Sequence, residues 1–125
     1  MQRNTRQREV IRQVFESAGR PLLTQEVALA AKEALPTLGI ATVYRTVKEL
    51  SEAGWLVPIE IAGGTRYERA DRGHHHHFHC QVCDRAFDIE GCTLKLPQLV
   101  PKGFVIDSHE LTINGTCRSC ATNQG

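Results

Sequence analysis

Histidine and cysteine are concentrated in one short stretch, HHHHFHCQVC, at residues 74–83. It holds five of the six histidines and two of the five cysteines. Imidazole and thiolate groups are the ligands that proteins use most often for zinc and other transition metals. Because every histidine and cysteine follows residue 73, the chain divides into a half without soft metal ligands and a half that is rich in them.

The cysteines form two C-x-x-C pairs, Cys80 with Cys83 and Cys117 with Cys120, separated by 33 residues. Each pair brings two thiolates to one side of a tight turn, and two such turns complete a tetrahedral shell that suits zinc. A closed shell has no open position, so this zinc is expected to be structural. The wide spacing predicts that the site ties the C-terminal end of the chain onto a strand. Unpaired buried thiols are the alternative interpretation.

The histidines show a second pattern. In an extended strand over residues 74–80, alternate side chains point to opposite faces. One face then carries His75, His77 and His79, and the other carries His74, His76, Phe78 and Cys80. Two histidines spaced i, i+2 can chelate one ion, so the pattern allows a metal site on each face. The other candidate ligands are Glu68, Asp88, Glu90, Cys92 and His109. A polar surface strand is the alternative.

Composition limits the class of protein. With 125 residues, 41% hydrophobic and 23% charged, the chain can bury a core as one domain or two small ones. It has no apolar run of about 18 residues and no apolar signal-peptide core at its start. We therefore expect a cytoplasmic protein without a membrane partner. In that reducing compartment an odd number of cysteines favours metal ligands over disulfides.

The first half has the periodicity of three helices. The first carries apolar side chains at helical spacing and ends before Gly19 and Pro21. Thr24 is the expected N-cap of the second helix, and Pro36 follows its end. The third covers about residues 41–54, with Val43, Val47 and Leu50 on one side. The residues on its opposite side are of types that contact phosphates and base edges, namely Thr42, Tyr44, Arg45 and Lys48.

A hairpin follows the third helix. The stretch WLVPIEIAGGTRYERA gives two short extended runs around Gly63 and Gly64. Three helices and a hairpin make a winged helix-turn-helix, whose third helix would enter the major groove. Residues 1–72 carry 11 Lys and Arg against 9 Asp and Glu, a charge of +2, and Arg6 on the first helix can meet phosphate. A small helical domain with ordinary solvated faces is the alternative.

The second half carries a charge of −1, from 4 basic and 5 acidic residues. Between the cysteine pairs, RAFDIEG and ELTINGT are typical of strands, and TLKLPQLV of a short helix or turn. This gives a small α/β unit with little core, which a zinc and a partner subunit would stabilise. The predicted fold class is α+β, with a winged-helix DNA-binding domain at 1–70 and a metal-binding dimerisation domain at 71–125.

Three stretches together resemble a known family. A winged helix with ATVYRTVKEL, a histidine-rich strand running into C-x-x-C, and SHELTINGTCRSC are similar to the ferric uptake regulator family of metal-dependent bacterial repressors. The resemblance spans nearly the whole chain. It implies a homodimer that binds double-stranded operator DNA when a regulatory metal is bound, with no small organic substrate.

The resemblance also implies roles for individual residues. It assigns a structural zinc to Cys80, Cys83, Cys117 and Cys120, and a regulatory metal at the hinge to Glu68, His75, His77 and Asp88. It assigns an additional site to His74, His76 and His109, with Glu90 or Cys92 as a further ligand. Tyr44 and Arg45 match the recognition-helix positions that touch DNA.

The chain departs from the family pattern at two places. The loop GRPLLTQE has no histidine where many members supply one to the regulatory metal, and Leu22 stands near that place. The ligand set is therefore reduced unless Glu68 or His79 makes up the deficit. The second departure is that the chain stops at Gly125, without the longer histidine-rich tail of some relatives.

The expected mechanism follows from the hinge. A metal held by Glu68 in one half and His75 and His77 in the other would pin the two reading heads of a dimer at the spacing that DNA half-sites require. Fe(II) and Zn(II) are expected ahead of Mn(II), and a Cys92 ligand would favour zinc. Two alternatives are a zinc-stabilised regulator insensitive to metal supply and a metallohydrolase. No H-E-x-x-H motif supports the hydrolase, so we expect no enzyme.

Overall fold

The computed structural model describes residues 2–73, 75–91 and 95–123. The first half contains three helices and a hairpin: α1 (Gln2–Ala18), α2 (Thr24–Ala34), α3 (Ile40–Glu52), β1 (Leu56–Ile61) and β2 (Gly64–Arg69). This order and the antiparallel pairing of β1 with β2 confirm the predicted winged helix. Among the described residues, no helix combines the length and apolar character needed to span a bilayer.

The core of the first half lies between the three helices and the base of the hairpin. Burial of apolar side chains is the main force that holds such a small unit together. The buried residues that share this core include Ile11, Phe15, Leu22, Val27, Ala31, Leu38, Val43, Val47, Leu50 and Leu56. The helical spacing in the sequence therefore predicted the buried positions Ile11, Phe15, Val27, Ala31, Val43, Val47 and Leu50, whereas Leu22, Leu38 and Leu56 lie outside the helices.

The start of α2 differs from the sequence prediction. The N-cap position is Leu23, whereas Thr24 is the first helical residue and is buried. The free N–H of Leu23 donates to the Glu26 carboxylate, with 3.0 Å between N and Oε1. The cap predicted at Thr24 is wrong because Glu26, three residues into the helix, satisfies this backbone donor.

The hairpin turn lies one residue earlier than the glycine pair suggested. Ala62 and Gly63 both have positive φ, 54° and 78°, and Gly64 already pairs with Ile61 in the ladder. Two consecutive positive φ values are characteristic of the tight turns whose twist matches that of antiparallel strands. The wing is therefore a regular two-stranded ribbon in which every residue of β2 has a defined partner.

The second half is a three-stranded sheet in the order β4–β3–β5. Its strands are β3 (His75–Cys80), β4 (Ala86–Glu90) and β5 (Thr112–Gly115), and helix α4 (Arg118–Asn123) follows. Strand β3 pairs antiparallel with β4 and parallel with β5. The short helical turn predicted between the strands is a 3₁₀ helix at Leu96–Leu99. Another 3₁₀ turn, Ala70–Arg72, connects the wing to β3.

Candidate functional site

The four cysteines of the two C-x-x-C pairs meet at the end of β3. Their sulfur atoms all lie within 4.8 Å of one another, and those of Cys83 and Cys117 are 3.9 Å apart. A tetrahedral zinc with Zn–S distances near 2.3 Å separates neighbouring sulfurs by about 3.8 Å. Cys80 ends β3, and Cys117 and Cys120 follow β5. The cluster therefore ties the C-terminal end of the chain to a strand and has the dimensions of a zinc site.

Backbone donors prepare this cluster for thiolates. The N–H groups of Cys83 and Cys117 lie 3.5 and 3.3 Å from the Cys80 sulfur and donate to it. These hydrogen bonds lower the pKa of Cys80 to about 6. The neighbouring thiol of Cys117, followed by burial, raises the pKa of Cys120 to about 12. A metal binds cysteines as thiolates. A cation at the centre of the cluster would therefore offset the negative charges that four neighbouring thiolates bring together.

A second cluster spans the two halves of the chain. Glu68 comes from β2 of the wing, His75 and His77 from β3, and Asp88 from β4. One ligand atom from each lies within 4.8 Å of the others. His77 is paired with Asp88 across the ladder, so their side chains share one face. The cluster is therefore built by strand register in the second half and completed by one carboxylate of the first.

The distances in this cluster suit a single ion. Glu68 Oε1 lies 2.8 Å from His75 Nε2 and 3.4 Å from His77 Nε2. Asp88 Oδ1 lies 3.5 and 3.7 Å from the same two nitrogen atoms. Ligands about 2.1 Å from a tetrahedral metal are about 3.4 Å apart. His77 Nε2 and Asp88 Oδ1 are buried without a hydrogen-bond partner among the described residues, as expected of atoms that face a cation.

The hydrogen bonds around His75 favour its protonated form. Its Nδ1–H donates to the Gly73 carbonyl at 2.9 Å, so its Nε2 also needs a proton to bond to Glu68. Burial opposes a positive charge here, but the hydrogen bonds to Gly73 and Glu68 outweigh it and raise the pKa of His75 above 6.5.

The two carboxylates of the cluster respond in opposite directions. Burial opposes the ionised form of Glu68, but the imidazoles of His77 and His75 outweigh it, so the pKa of Glu68 lies below 4.5. Burial and the charge of Glu68 raise the pKa of Asp88 above 3.8. Arg72 lies 2.6 Å from Asp88 Oδ2, which leaves Oδ1 facing the histidines.

The opposite face of β3 carries the additional candidate ligands. The Nε2 atoms of His76 and His109 are 3.2 Å apart. The structure does not bring Glu90 to this pair, because Glu90 is the ladder partner of His75 and therefore lies on the other face. His74 and Cys92 lie outside the described residues.

Of the two residues that could make up for the family's missing histidine, Glu68 belongs to the metal cluster and His79 does not, and Leu22 at the vacant position is a buried core residue. Leu22 is 3% exposed, and its backbone is bonded to Tyr67 in both directions at 2.9 Å. His79 lies on the predicted face, but its Nε2 is 2.7 Å from Asp84 Oδ1 instead. The cluster around Glu68 therefore contains four candidate ligands among the described residues. Arg72 contacts the cluster through Asp88, and no spacing in the sequence indicated it.

The outward side of α3 carries the predicted DNA-contacting side chains. Val43, Thr46, Val47 and Leu50 are buried, whereas Tyr44 is 48% exposed and Arg45 and Lys48 are also exposed. Thr42 is half-buried within reach of Arg45, and Arg6 is exposed on α1. Tyr44, Arg45 and Lys48 line a groove between α3 and the wing. This face combines positive charge with an aromatic ring beside the groove.

Comparison with known proteins decides the family. The model of the ferric uptake regulator family matches residues 2–114 of this chain. The chain belongs to the ferric uptake regulator family. The ferric uptake regulation protein of Campylobacter jejuni is 33% identical over 122 residues, covering 93% of this chain and 78% of that protein. The Bacillus subtilis protein of the same name is 34% identical over 124 residues, covering 93% and 83%.

A solved structure of the ferric uptake regulator family agrees with this fold. The Helicobacter pylori ferric uptake regulator Fur has a TM-score of 0.72 and 25% identity, covering 93% of this chain and 80% of that one. That structure is described as revealing three functional metal-binding sites. The present chain has two metal-capable clusters among its described residues, besides the pair formed by His76 and His109.

The charge balance of the Glu68 cluster gives a direct prediction. Replacing Glu68 with Gln removes the anion that stabilises protonated His75, so the pKa of His75 should fall in the metal-free protein. Titration of the His75 ring signals by NMR measures this change. The matched control is Asp71→Asn, because Asp71 is exposed and paired with Arg69. An unchanged or higher His75 pKa in Glu68→Gln would contradict the assignment.

Proposed function

We propose that this protein is a metal-responsive repressor that binds operator DNA as a homodimer. The observation that carries the proposal is the cluster of Glu68, His75, His77 and Asp88, because it joins the DNA-reading half to the other half. A ligand can shift a conformational equilibrium only through contacts that differ between the two states. Glu68 provides that difference, since it reaches the other three residues only when the halves are closed together.

In the proposed mechanism, Glu68, His75, His77 and Asp88 hold the regulatory metal. When bound, the metal supplies a divalent cation to which all four side chains can be ligands. His75 would bind through Nε2 after releasing that proton to solvent, and its Nδ1–H on Gly73 fixes the orientation of the ring. Glu68, as the ligand from β2, would hold the wing against β3. The position of the wing, and with it that of α3, is set for two half-sites of DNA.

The donor set favours some metals over others. Two imidazole nitrogens and two carboxylate oxygens are borderline to hard ligands, which suit Zn(II) and Fe(II) and also accept Mn(II). Four ligands at tetrahedral spacing favour zinc, whereas manganese prefers more oxygen ligands. We propose Zn(II) or Fe(II) as the regulatory metal, and a separate structural zinc at Cys80, Cys83, Cys117 and Cys120.

The DNA contacts are proposed for the exposed face of α3. Arg45 and Lys48 carry the positive charge, Tyr44 and Thr42 offer hydroxyl groups, and Arg6 on α1 adds a phosphate contact. Arg8, on the same helix as Arg6, is paired with Glu49 of α3 at 3.3 Å, which fixes α1 against the reading helix.

The homodimer is proposed from the apolar surface of the second half. Phe104 is 67% exposed and Val105 is 86% exposed. Leu99 is exposed a few residues before them, and Ile113 is exposed on the edge strand β5. Large exposed apolar groups in one small unit are typical of surfaces that a partner covers. A second copy of the chain would also supply the second reading head.

The pair of His76 and His109 is proposed as an additional metal site in this half.

The first prediction separates a gated repressor from a metal-insensitive regulator. His75→Ala and His77→Ala should abolish the increase in DNA affinity caused by added metal, while one zinc per chain remains at the four cysteines. DNA binding is measured with a fragment selected from the genome by the wild-type protein, titrated with Fe(II), Zn(II) and Mn(II). Asp107→Asn, at an exposed carboxylate in the same half, is the control. Unchanged metal dependence in the histidine variants would overturn the proposal.

The second prediction concerns the reading face. Lys48→Ala should weaken binding to all DNA sequences and reduce the slope of log affinity against log salt by about 1, as expected for one lost phosphate contact. Arg45→Ala should cost about 1–3 kcal/mol if it contacts a base edge, with relaxed specificity. Lys102→Ala, in the second half, is the control. Equal effects of Lys48→Ala and Lys102→Ala would argue against α3 as the reading helix.

A further inference from the structure

Arg66 is a buried arginine in the wing. It lies in β2 and is 1% exposed, although an arginine is almost never fully buried unless it is paired. Its Nη1–H donates to the carbonyl oxygen of Ile61 at 2.9 Å, across the hairpin turn. This bond satisfies one end of the guanidinium within the first half. The other end requires a partner elsewhere, because burying a charge without one is costly.

That partner belongs to the second half. Arg66 Nη2 donates to the backbone carbonyl of Asp84 and lies 3.1 Å from its Oδ1. Asp84 follows Cys83 directly, and its own N–H donates to the Cys80 carbonyl at 2.9 Å. Its φ is +65°, an uncommon value for a residue other than glycine. The C-x-x-C turn therefore holds the Asp84 carbonyl in position to accept from Arg66.

His79 completes this contact. It is buried, and its Nε2 lies 2.7 Å from the same Asp84 Oδ1. The Asp84 side chain itself is 63% exposed, so water weakens its ion pair with Arg66. The hydrogen bond from the buried guanidinium to the backbone carbonyl is part-buried, and its acceptor is held by the C-x-x-C turn. We expect the carbonyl bond to contribute more than the ion pair.

We propose that Arg66, Asp84 and His79 form a latch that holds the wing against the first C-x-x-C turn without using the regulatory metal. None of the three belongs to the cluster of Glu68, His75, His77 and Asp88. The closed arrangement of the two halves is therefore stabilised at two separate places. The latch raises the population of the closed form before metal arrives, and Arg66 is a positioning residue for the wing.

The latch has a consequence for regulation, and this part rests on the proposed function. The apparent affinity for a ligand increases with the fraction of protein already in the binding-competent state. The latch therefore lowers the metal concentration at which DNA binding is half-maximal. The halves have another contact, in which Arg20 Nη1 lies 3.5 Å from the Ala86 carbonyl oxygen. This contact remains when the latch is broken. Loss of the latch should weaken closure rather than separate the halves completely.

The test uses Arg66→Met, Asp84→Asn and the double variant in the full chain. Methionine is unbranched and uncharged and follows the arginine side chain as far as Nε, so it keeps part of the buried packing while removing the guanidinium group. The Zn(II) concentration at half-maximal DNA binding should rise on the order of tenfold in Arg66→Met, because losing a hydrogen bond to a charged group changes an equilibrium by about this factor. Zinc content at the four cysteines should not change. Amide hydrogen exchange should become faster in both 64–69 and 81–85.

Two further variants keep the test specific. Arg69→Met removes another arginine of β2, but one whose partner is Asp71, two residues away, so it should leave the Zn(II) midpoint and the exchange of 81–85 unchanged. Asp84→Gly keeps the carbonyl, suits the positive φ and removes the carboxylate. It should therefore have a smaller effect than Arg66→Met. It also allows the carboxylate's part of the latch to be tested if Arg66→Met fails to fold.

The outcomes separate the latch from the proposed function. Asp84→Asn should add little to Arg66→Met in the double variant, because residues that act through one contact are not additive. Fully additive effects, together with unchanged exchange of 81–85 in Arg66→Met, would overturn the latch. If DNA binding of the wild-type protein does not respond to metal at all, the proposed function fails, and the exchange measurements still decide whether the latch exists.

Discussion

The antiparallel register of β3 and β4 is the constraint on which the rest of the site depends. Because His77 lies opposite Asp88, strand alternation places His75 and His77 beside this carboxylate and directs His76 toward His109 on the other face. The same strand ends in Cys80, so the four-cysteine cluster is fixed by the same register. A shift of one residue would exchange the faces and dismantle all three groupings. A zinc held by the four cysteines, which include Cys80 at the end of β3, would stabilise that register.

Electrostatics favour a cation at the junction between the halves. Glu68 is 4% exposed, and Asp88 lies close enough for the two carboxylates to repel each other. Without a metal, the proton on His75 and the guanidinium of Arg72 offset this charge. Glu68 and Asp88 would both be ligands of a divalent cation held here, whose charge would take the place of the proton that His75 releases to solvent. A shift from 1:99 to 99:1 in favour of the closed form requires about 5.5 kcal/mol of differential binding, and the latch at Arg66 would reduce the part that the metal must supply.

The sequence predicted the parts of the site that follow from local spacing. C-x-x-C and alternating histidines bring their own ligands together within one turn or strand, so Cys80, Cys83, His75 and His77 could be grouped in advance. Residues joined only by tertiary contacts could not be grouped without a family resemblance. The resemblance grouped Glu68 and Asp88 with the histidines, but it did not decide whether Glu90 is a ligand. The strand register shows that Glu90 does not join the pair of His76 and His109. Arg66 and Asp84 are 18 residues apart, and no motif connects them.

The central claim is that one exchangeable metal joins the wing to the second half through Glu68. A crystal structure of the protein loaded with Zn(II), with anomalous scattering used to locate the ions, tests it most directly. We expect one zinc surrounded by four sulfur atoms and a second about 2.0–2.2 Å from a Glu68 oxygen, Nε2 of His75 and His77, and an Asp88 oxygen. A second zinc bound only by residues of β3 and β4, with Glu68 turned away, would contradict it.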